Sequence, residues 1–245
     1  MDRTPVTLTL ADVHVGYQPG IDVLQGIDLS TNALGVTTVI GPNGAGKSTL
    51  LRAIFGFLAP HTGRITLGDT DITGLAPNVV KRRGVSYITQ GINIFPGLSV
   101  EENLRMGAWT IRGDRRRLRA QLDTVFELFP MLRNDRSRKA SELSGGQAKM
   151  LSIAKEVMTE PSVILVDEPT AGLSPALSEL AYEFLLRTHK SLGCSILLVD
   201  QNIEAAVAIA DYVYLINLGR VKNEGPRGDF GPQRVRALIQ ECLTG

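Results

Sequence analysis

The chain of 245 residues is poor in cysteine and in aromatic side chains, carries no excess of either charge and contains no long apolar run. Each shortage narrows what it can be. Two cysteines, Cys194 and Cys242, cannot build a disulfide framework. Cys194 stands directly before an apolar, strand-like run, which fits a reduced cytosolic interior. Lys and Arg number 26 against 25 Asp and Glu, so no basic field draws the chain onto nucleic acid, and no nucleic-acid partner is expected. No apolar stretch reaches the roughly 20 residues that span a bilayer, and MDRTPVTLTL lacks the apolar centre of a secretory leader. Any membrane role therefore runs through partners. What is present, 43% hydrophobic and 21% charged residues, suffices for a sizeable core in one unit.

Val6 to Val15 and Val23 to Leu29 have the β-branched, alternating character of paired strands, with Gly16, Pro19 and Gly20 in the turn between them. Val36 to Ile40 reads as a short buried strand entering a glycine-rich loop and a helix that begins near Lys47. Arg64 to Leu67 and Val85 to Ile88 read as further strands. Beyond Gly91 the texture changes. Val100 to Ile111, Arg115 to Phe129 and Ser144 to Met158 have helical periodicity, and no strand pattern returns until Val163 to Val166. A helix over Ala176 to Leu192, a strand at Ile196 to Val199, a helix from Ile203 and a hairpin across Tyr212 to Val221, turned at Leu218 and Gly219, follow. Strands alternating with helices imply a mostly parallel sheet with its ligand at the carboxyl ends of the strands. The arginines between Arg112 and Arg119 read as a solvated helix face.

Gly41-Pro42-Asn43-Gly44-Ala45-Gly46-Lys47-Ser48-Thr49 fits the spacing of a phosphate-binding loop, and it lies between a strand and a helix as that loop requires. Its glycines let successive N–H groups turn inward, and the helix amino terminus adds partial positive charge. Lys47 is placed to reach the β and γ phosphates and Ser48 to ligate Mg²⁺. The alternative is a glycine-rich turn with a chance lysine. The run VILVDEP delivers Asp167 and Glu168 to the end of an apolar strand. Asp167 can hold Mg²⁺ through its water shell, and Glu168 can orient and deprotonate an attacking water. A helix-capping acid pair is the alternative. Together the two runs indicate a nucleoside triphosphate and its hydrolysis.

Leu143-Ser144-Gly145-Gly146-Gln147 opens a helix whose apolar face is Met150, Leu151, Ile153, Ala154 and Val157. A capping box explains Ser144 and Gln147. It does not explain two consecutive glycines, which weaken a helix start unless something approaches the backbone closely. On these residues, with Gly41 to Ser48 and Val163 to Glu168, the chain resembles the ATP-binding cassette family, the ATPase subunits of ABC transporters, over nearly its whole length.

The resemblance implies an α/β fold: a P-loop NTPase core of RecA-like type, an antiparallel β subdomain and an inserted α-helical subdomain. Residues 1–245 then form a single ATPase domain, 1–89 and 160–245 its nucleotide-binding core with the N-terminal β part, and 90–159 the helical subdomain with the signature. It implies ATP and Mg²⁺, with Lys47, Glu168 and Gln201 as catalytic residues and Ser48, Gln90 and Asp167 around the metal. It further implies that Ser144, Gly145, Gly146 and Gln147 of one subunit meet the γ-phosphate held by another. Tyr17 matches the aromatic that stacks on adenine, with a core tyrosine as the alternative. Gln90 matches the glutamine that senses γ-phosphate and passes movement to the membrane subunit, with a plain loop glutamine as the alternative. Ser99 with Glu102 starts the following helix as a second capping box.

Two positions depart from the family. The strand at Ile196 to Val199 usually leads to a histidine that donates to the γ-phosphate, and Gln201 stands there instead. A neutral amide donates about half as strongly and does not titrate. The alternative is that Gln201 merely precedes Asn202, a good helix cap. Ser174 replaces a common aspartate and, before Pro175, reads as a capping serine. Both departures resemble an ATPase subunit of importers for branched-chain amino acids and of related urea or amide importers. That resemblance implies a second ATP-binding subunit, as a heterodimer or a homodimer, two permease subunits, an external solute-binding protein, and a peripheral place on the cytoplasmic side of the cell membrane. A soluble cassette ATPase acting outside transport and an ATP-binding scaffold that does not hydrolyse are the remaining alternatives.

Overall fold

The computed structural model describes residues 5–18 and 20–244. Pro19, read above as part of a turn, and the first four residues of the N-terminal stretch lie outside them. In chain order the elements are β1 (Leu8–Val15), β2 (Leu24–Ser30), β3 (Val36–Ile40), α1 (Lys47–Phe55), β4 (Thr62–Leu67), β5 (Thr70–Asp71), α2 (Pro77–Arg82) and β6 (Val85–Ile88). Next come α3 (Val100–Gly107), α4 (Arg115–Leu128), α5 (Pro130–Asn134) and α6 (Gly145–Val157). The remainder is β7 (Val163–Asp167), α7 (Pro175–Leu192), β8 (Ser195–Val199), α8 (Ile203–Ala208), β9 (Tyr212–Asn217), β10 (Arg220–Pro226) and α9 (Pro232–Thr244).

The strands form two sheets. One has four strands in the order β2-β1-β4-β5, all antiparallel. The other has six in the order β10-β9-β3-β8-β7-β6, parallel except for β10. Every residue of β3, β6, β7 and β8 is buried, because the parallel sheet is covered on both faces. Alternation divides its side chains. Ile164, Val166, Ile196 and Leu198 pack with α3 to α7, whereas Val163, Leu165, Leu197 and Val199 pack with α1 and the four-stranded sheet. Each such aliphatic side chain contributes about 1.5–3 kcal/mol of transfer free energy.

Register brings the strand ends level. Ile88 pairs with Val166, Asp167 with Val199, and Val39 also with Val199. Thus Gly41, Gln90, Asp167, Glu168 and Gln201 all leave the same edge of the sheet. The segments after this edge differ in kind: Gly91 to Thr159 carries helices, and α6 is buried along almost its whole length.

Some elements differ from expectation. The helix expected over Val100 to Ile111 ends at Gly107, where a Cβ would lie 2.3 Å from the Lys155 carbonyl oxygen of α6. α2, α5 and α9 are additional. β10 extends the hairpin to Pro226, and its turn places Leu218 and Gly219 at φ 46° and 74°, the left-handed pair that a tight hairpin needs.

Candidate active site

The loop between β3 and α1 is fixed by backbone packing. At Gly41 (φ 154°) a Cβ would sit 2.1 Å from the Ile216 carbonyl oxygen, so only glycine lets this loop leave the sheet beside β9. Gly44 (φ 81°) is different: it faces open space, and glycine serves its left-handed backbone. Gly46 caps α1 at φ 103° without a side-chain cap, leaving the first N–H groups of the helix for an external acceptor. Lys47 is buried, and its Nζ donates to the carbonyls of Gly41 (2.8 Å) and Pro42 (2.9 Å). Burial holds its pKa below the usual lysine value, and the carboxylates of Glu168 and Asp167 partly restore it.

Asp167 ends β7 and is gripped from two sides. Ser48 Oγ donates to its Oδ1 (3.0 Å), and the Tyr87 hydroxyl of β6 donates to its Oδ2 (2.9 Å). Burial and the neighbouring Asp167 charge raise the Tyr87 pKa, so it remains a protonated donor. Glu168 turns away from this pair because its backbone enters the left-handed region at φ 46°. A non-glycine residue there costs about 1–2 kcal/mol, and its N–H, donating to the Val199 carbonyl at 2.8 Å, helps to hold it.

Glu168 is buried, and its carboxylate receives two glutamines. Gln90 Nε2 donates to Oε2 at 2.6 Å, and Gln201 Nε2 lies 3.0 Å from both oxygens. Gln201 therefore does more than precede a cap. The cap is Asn202, whose Oδ1 accepts from the Ala205 N–H at 3.3 Å. Asp200 is buried and accepts from Thr170 Oγ1 at 2.8 Å and from the Asn202 N–H at 3.0 Å, tying the turn after β8 to the turn after β7.

Tyr17 is 55% exposed, which removes the core-tyrosine alternative. Its hydroxyl accepts from Arg52 Nη1 (3.1 Å) and lies 3.2 Å from Thr49 Oγ1, so its ring is anchored beside the first turn of α1.

Ser144 and Gln147 form the expected capping box of α6: Ser144 Oγ accepts from the Gln147 N–H, and Gln147 Oε1 accepts from the Ser144 N–H. The glycine pair divides. Gly145 has open space where a Cβ would go, whereas a Cβ on Gly146 would lie 2.7 Å from Leu177 Cδ1 of α7. Close packing at Gly146 thus comes from within the chain, whereas the space beside Gly145 is open. Ser174 occupies the cap position of α7, yet its side chain makes no capping hydrogen bond. Proline at the first turn starts that helix instead.

The chain thus gathers Gly41 to Thr49, Gln90, Asp167, Glu168 and Gln201 at one sheet edge, with Tyr17 beside α1. Ser144 to Gln147 bond to one another and to Asp135, which accepts from Gln147 Nε2 at 3.0 Å, and no hydrogen bond between them and these residues is found among the described residues. Tyr87, Thr170, Asp200 and Lys149 also contribute without having been anticipated. Lys149 carried a signal: at i+3 from Gly146 and i−4 from Ile153 it faces inward on a buried helix.

A family model described as ABC transporter matches residues 24–171. The branched-chain amino acid transport ATP-binding protein LivF of Archaeoglobus fulgidus, so described as probable, is 38% identical over 223 residues, 91% of this chain and 93% of that protein. The high-affinity branched-chain amino acid transport ATP-binding protein BraG of Pseudomonas aeruginosa is 33% identical over 205 residues, covering 84% and 87%. Among solved structures, the ADP conformation of MJ1267, an ATP-binding cassette of an ABC transporter, superposes with a TM-score of 0.83 at 28% identity over 99% of this chain and all of that one. A sheet edge built for a nucleotide and a likeness extending along the whole chain agree: this protein belongs to the ABC transporter family, as a nucleotide-binding cassette ATPase.

Proposed function

We propose that the chain powers an importer for branched-chain amino acids and that its own site hydrolyses ATP with Glu168 as general base. The observation that carries the reading is the Glu168 carboxylate, buried and held between the Gln90 and Gln201 amides beside Lys47 and the Ser48–Asp167 pair. Such a carboxylate can take a proton from water aligned with the γ-phosphorus. The water oxygen bonds phosphorus, the bond to the β-phosphate oxygen breaks, and ADP and inorganic phosphate leave. Lys47 exchanges its carbonyl partners for phosphate oxygens, the N–H groups of Gly44 to Thr49 cradle the phosphates, and Tyr17 stacks on adenine. Gln201 supplies the neutral donor in place of a histidine.

Ser48 and Asp167 suit Mg²⁺: their oxygens are hard donors already 3.0 Å apart, with Gln90 as the proposed third position. When bound, the ion neutralises phosphate charge.

Gly145, exposed at a helix start, fits the γ-phosphate of a nucleotide held by a second ATP-binding subunit, a different chain or a second copy. Segment 90–159 is proposed to move against the rest when ATP joins the two subunits, and to pass that movement to the permeases near Gln90. Half-exposed Ile92 and Phe95 on that loop suit a permease contact. An external solute-binding protein completes the assembly. Among the described residues no helix is long and apolar enough to cross a membrane; the proposed place of the chain is peripheral, on the cytoplasmic side, held there by the permeases. The solute class rests on the names of the two relatives. It is tested by reconstituting the chain with its partner ATPase, permeases and binding protein in liposomes. Leucine, isoleucine or valine should stimulate ATP hydrolysis and enter the lumen. Stimulation by urea or short amides instead would replace the solute, and hydrolysis indifferent to any solute would overturn the transport role.

A further inference from the structure

Lys149 is only 2% exposed, the most deeply buried charged residue of α6, beside Met150, Leu151 and Ile153 of its apolar core. A buried ammonium needs partners, and this one finds carbonyls: Nζ donates to the Gln90 carbonyl at 2.6 Å and to the Thr89 carbonyl at 3.3 Å. Three residues later on the same helix, Ser152 Oγ accepts the Asn93 N–H at 3.1 Å. α6 therefore holds the Gln90 loop at two points, and the same helix begins with Ser144 and Gly145. At the other end of that loop residue, the Gln90 amide donates to Glu168. A chain of contacts thus runs from the exposed signature glycine through a rigid helix and Lys149 to the side chain that orients the carboxylate. Lys149 also lies within the field of Asp200, Asp167 and Glu168, whose negative charge offsets part of the burial penalty on its ammonium.

We propose that Lys149 is a positioning residue: it locks the backbone at Thr89 and Gln90 to the signature helix, so that Gln90 meets Glu168 only when that helix is in place. The inference rests on the reading of Glu168 as the base. A lysine is suited to the task because its three donors can hold two carbonyls at once, and its charge makes each hydrogen bond stronger than a neutral one. The device links the part of the site that meets a second subunit to the part that performs hydrolysis, within one chain and without contact between Lys149 and nucleotide.

The test uses the assembled complex with Lys149→Met, which keeps length and apolar volume but has neither charge nor donor, beside Lys149→Arg, Ser152→Ala and Glu168→Gln. The expected result for Lys149→Met is a kcat reduced about tenfold or more, with ATP affinity and KM within about twofold of the starting protein. Lys149→Arg should recover kcat to within about threefold, and Ser152→Ala, which removes one neutral bond, should lose less than Lys149→Met. Where Lys149→Met does not fold, as judged by its thermal transition, Lys149→Gln replaces it, with the same split between kcat and KM expected. Full kcat in the folded variant, or a loss confined to KM, overturns the inference. Glu168→Gln separates the two layers: if it too keeps full turnover, the reading of the base has failed; if it alone is inactive, only the role of Lys149 has.

Discussion

Two helix starts, that of α1 and that of α6, are both glycine-rich, and the chain treats them oppositely. At α1 the loop is closed on itself: Lys47 rests on the Gly41 and Pro42 carbonyls and Ser48 on Asp167. At α6 the capping box satisfies the backbone, but Gly145 faces open space and no neighbouring side chain covers it. One start lays a buried lysine and a serine on partners within the chain, and the other has open space beside Gly145. On the proposed reading the difference marks where a second subunit would enter: a phosphate held at α1 would displace internal partners, whereas one met at α6 would enter open space beside Gly145.

The comparison breaks most severely at α1. Lys47→Ala removes the buried cation, and turnover should fall by about 10²–10³, with ATP affinity also reduced, in a steady-state assay of the complex. Turnover near that of the starting protein would mean that the ammonium never leaves its carbonyls. At α6 the two glycines should separate. Gly145→Asp places a carboxylate where a phosphate is expected, and turnover should fall by about tenfold or more while the thermal transition of the isolated chain stays within the effect of about 0.5 kcal/mol typical of surface changes. Gly146→Ala should do the reverse. Its Cβ displaces Leu177, so stability falls by about 1 kcal/mol, with turnover changed less than by Gly145→Asp. Equal behaviour of the two variants would dissolve the distinction between an internal and an external contact.

The smallest expected effects separate Gln201 from Asn202. Loss of the amide that meets Glu168 in Gln201→Ala should lower turnover by about three- to tenfold, the net scale of one ordinary hydrogen bond, with the Gln90 amide still on the carboxylate. Asn202→Ala should instead lower the unfolding free energy by about 1 kcal/mol through loss of the α8 cap and spare turnover. Denaturant titration with parallel ATPase assays reads both.

Much of this was legible in the residues, for reasons that are local. The β3 to α1 loop, the acids at the end of β7 and the start of α6 are contiguous runs whose spacing dictates geometry, and the apolar runs Val163 to Val166 and Ile196 to Val199 announce a sheet covered on both faces. Gln201 stood out through the resemblance, which places a histidine at its position. What escaped is long-range or short. Tyr87 meets Asp167 across 80 residues of chain, and Lys149 meets Gln90 across 59. Neither pair has a spacing rule. α2 and α5 are too short for periodicity to register. α9 does carry Val235, Leu238, Ile239 and Cys242 at helical spacing, but that stripe becomes meaningful only against α8 and β9, where it packs. Ser174 shows the opposite error: a residue type suited to capping occupies the right position without making the bond.

The account turns on Glu168, strained in its backbone, buried, and held by two amides. Its most direct test is single-turnover hydrolysis by Glu168→Gln in the complex, with equilibrium ATP binding measured on the same preparation. The expected result is ATP affinity within about twofold of the starting protein and a chemical step slowed by about 10²–10⁴. Hydrolysis at the original rate with ATP still bound would contradict it, because the proton of the attacking water would then be leaving by another route.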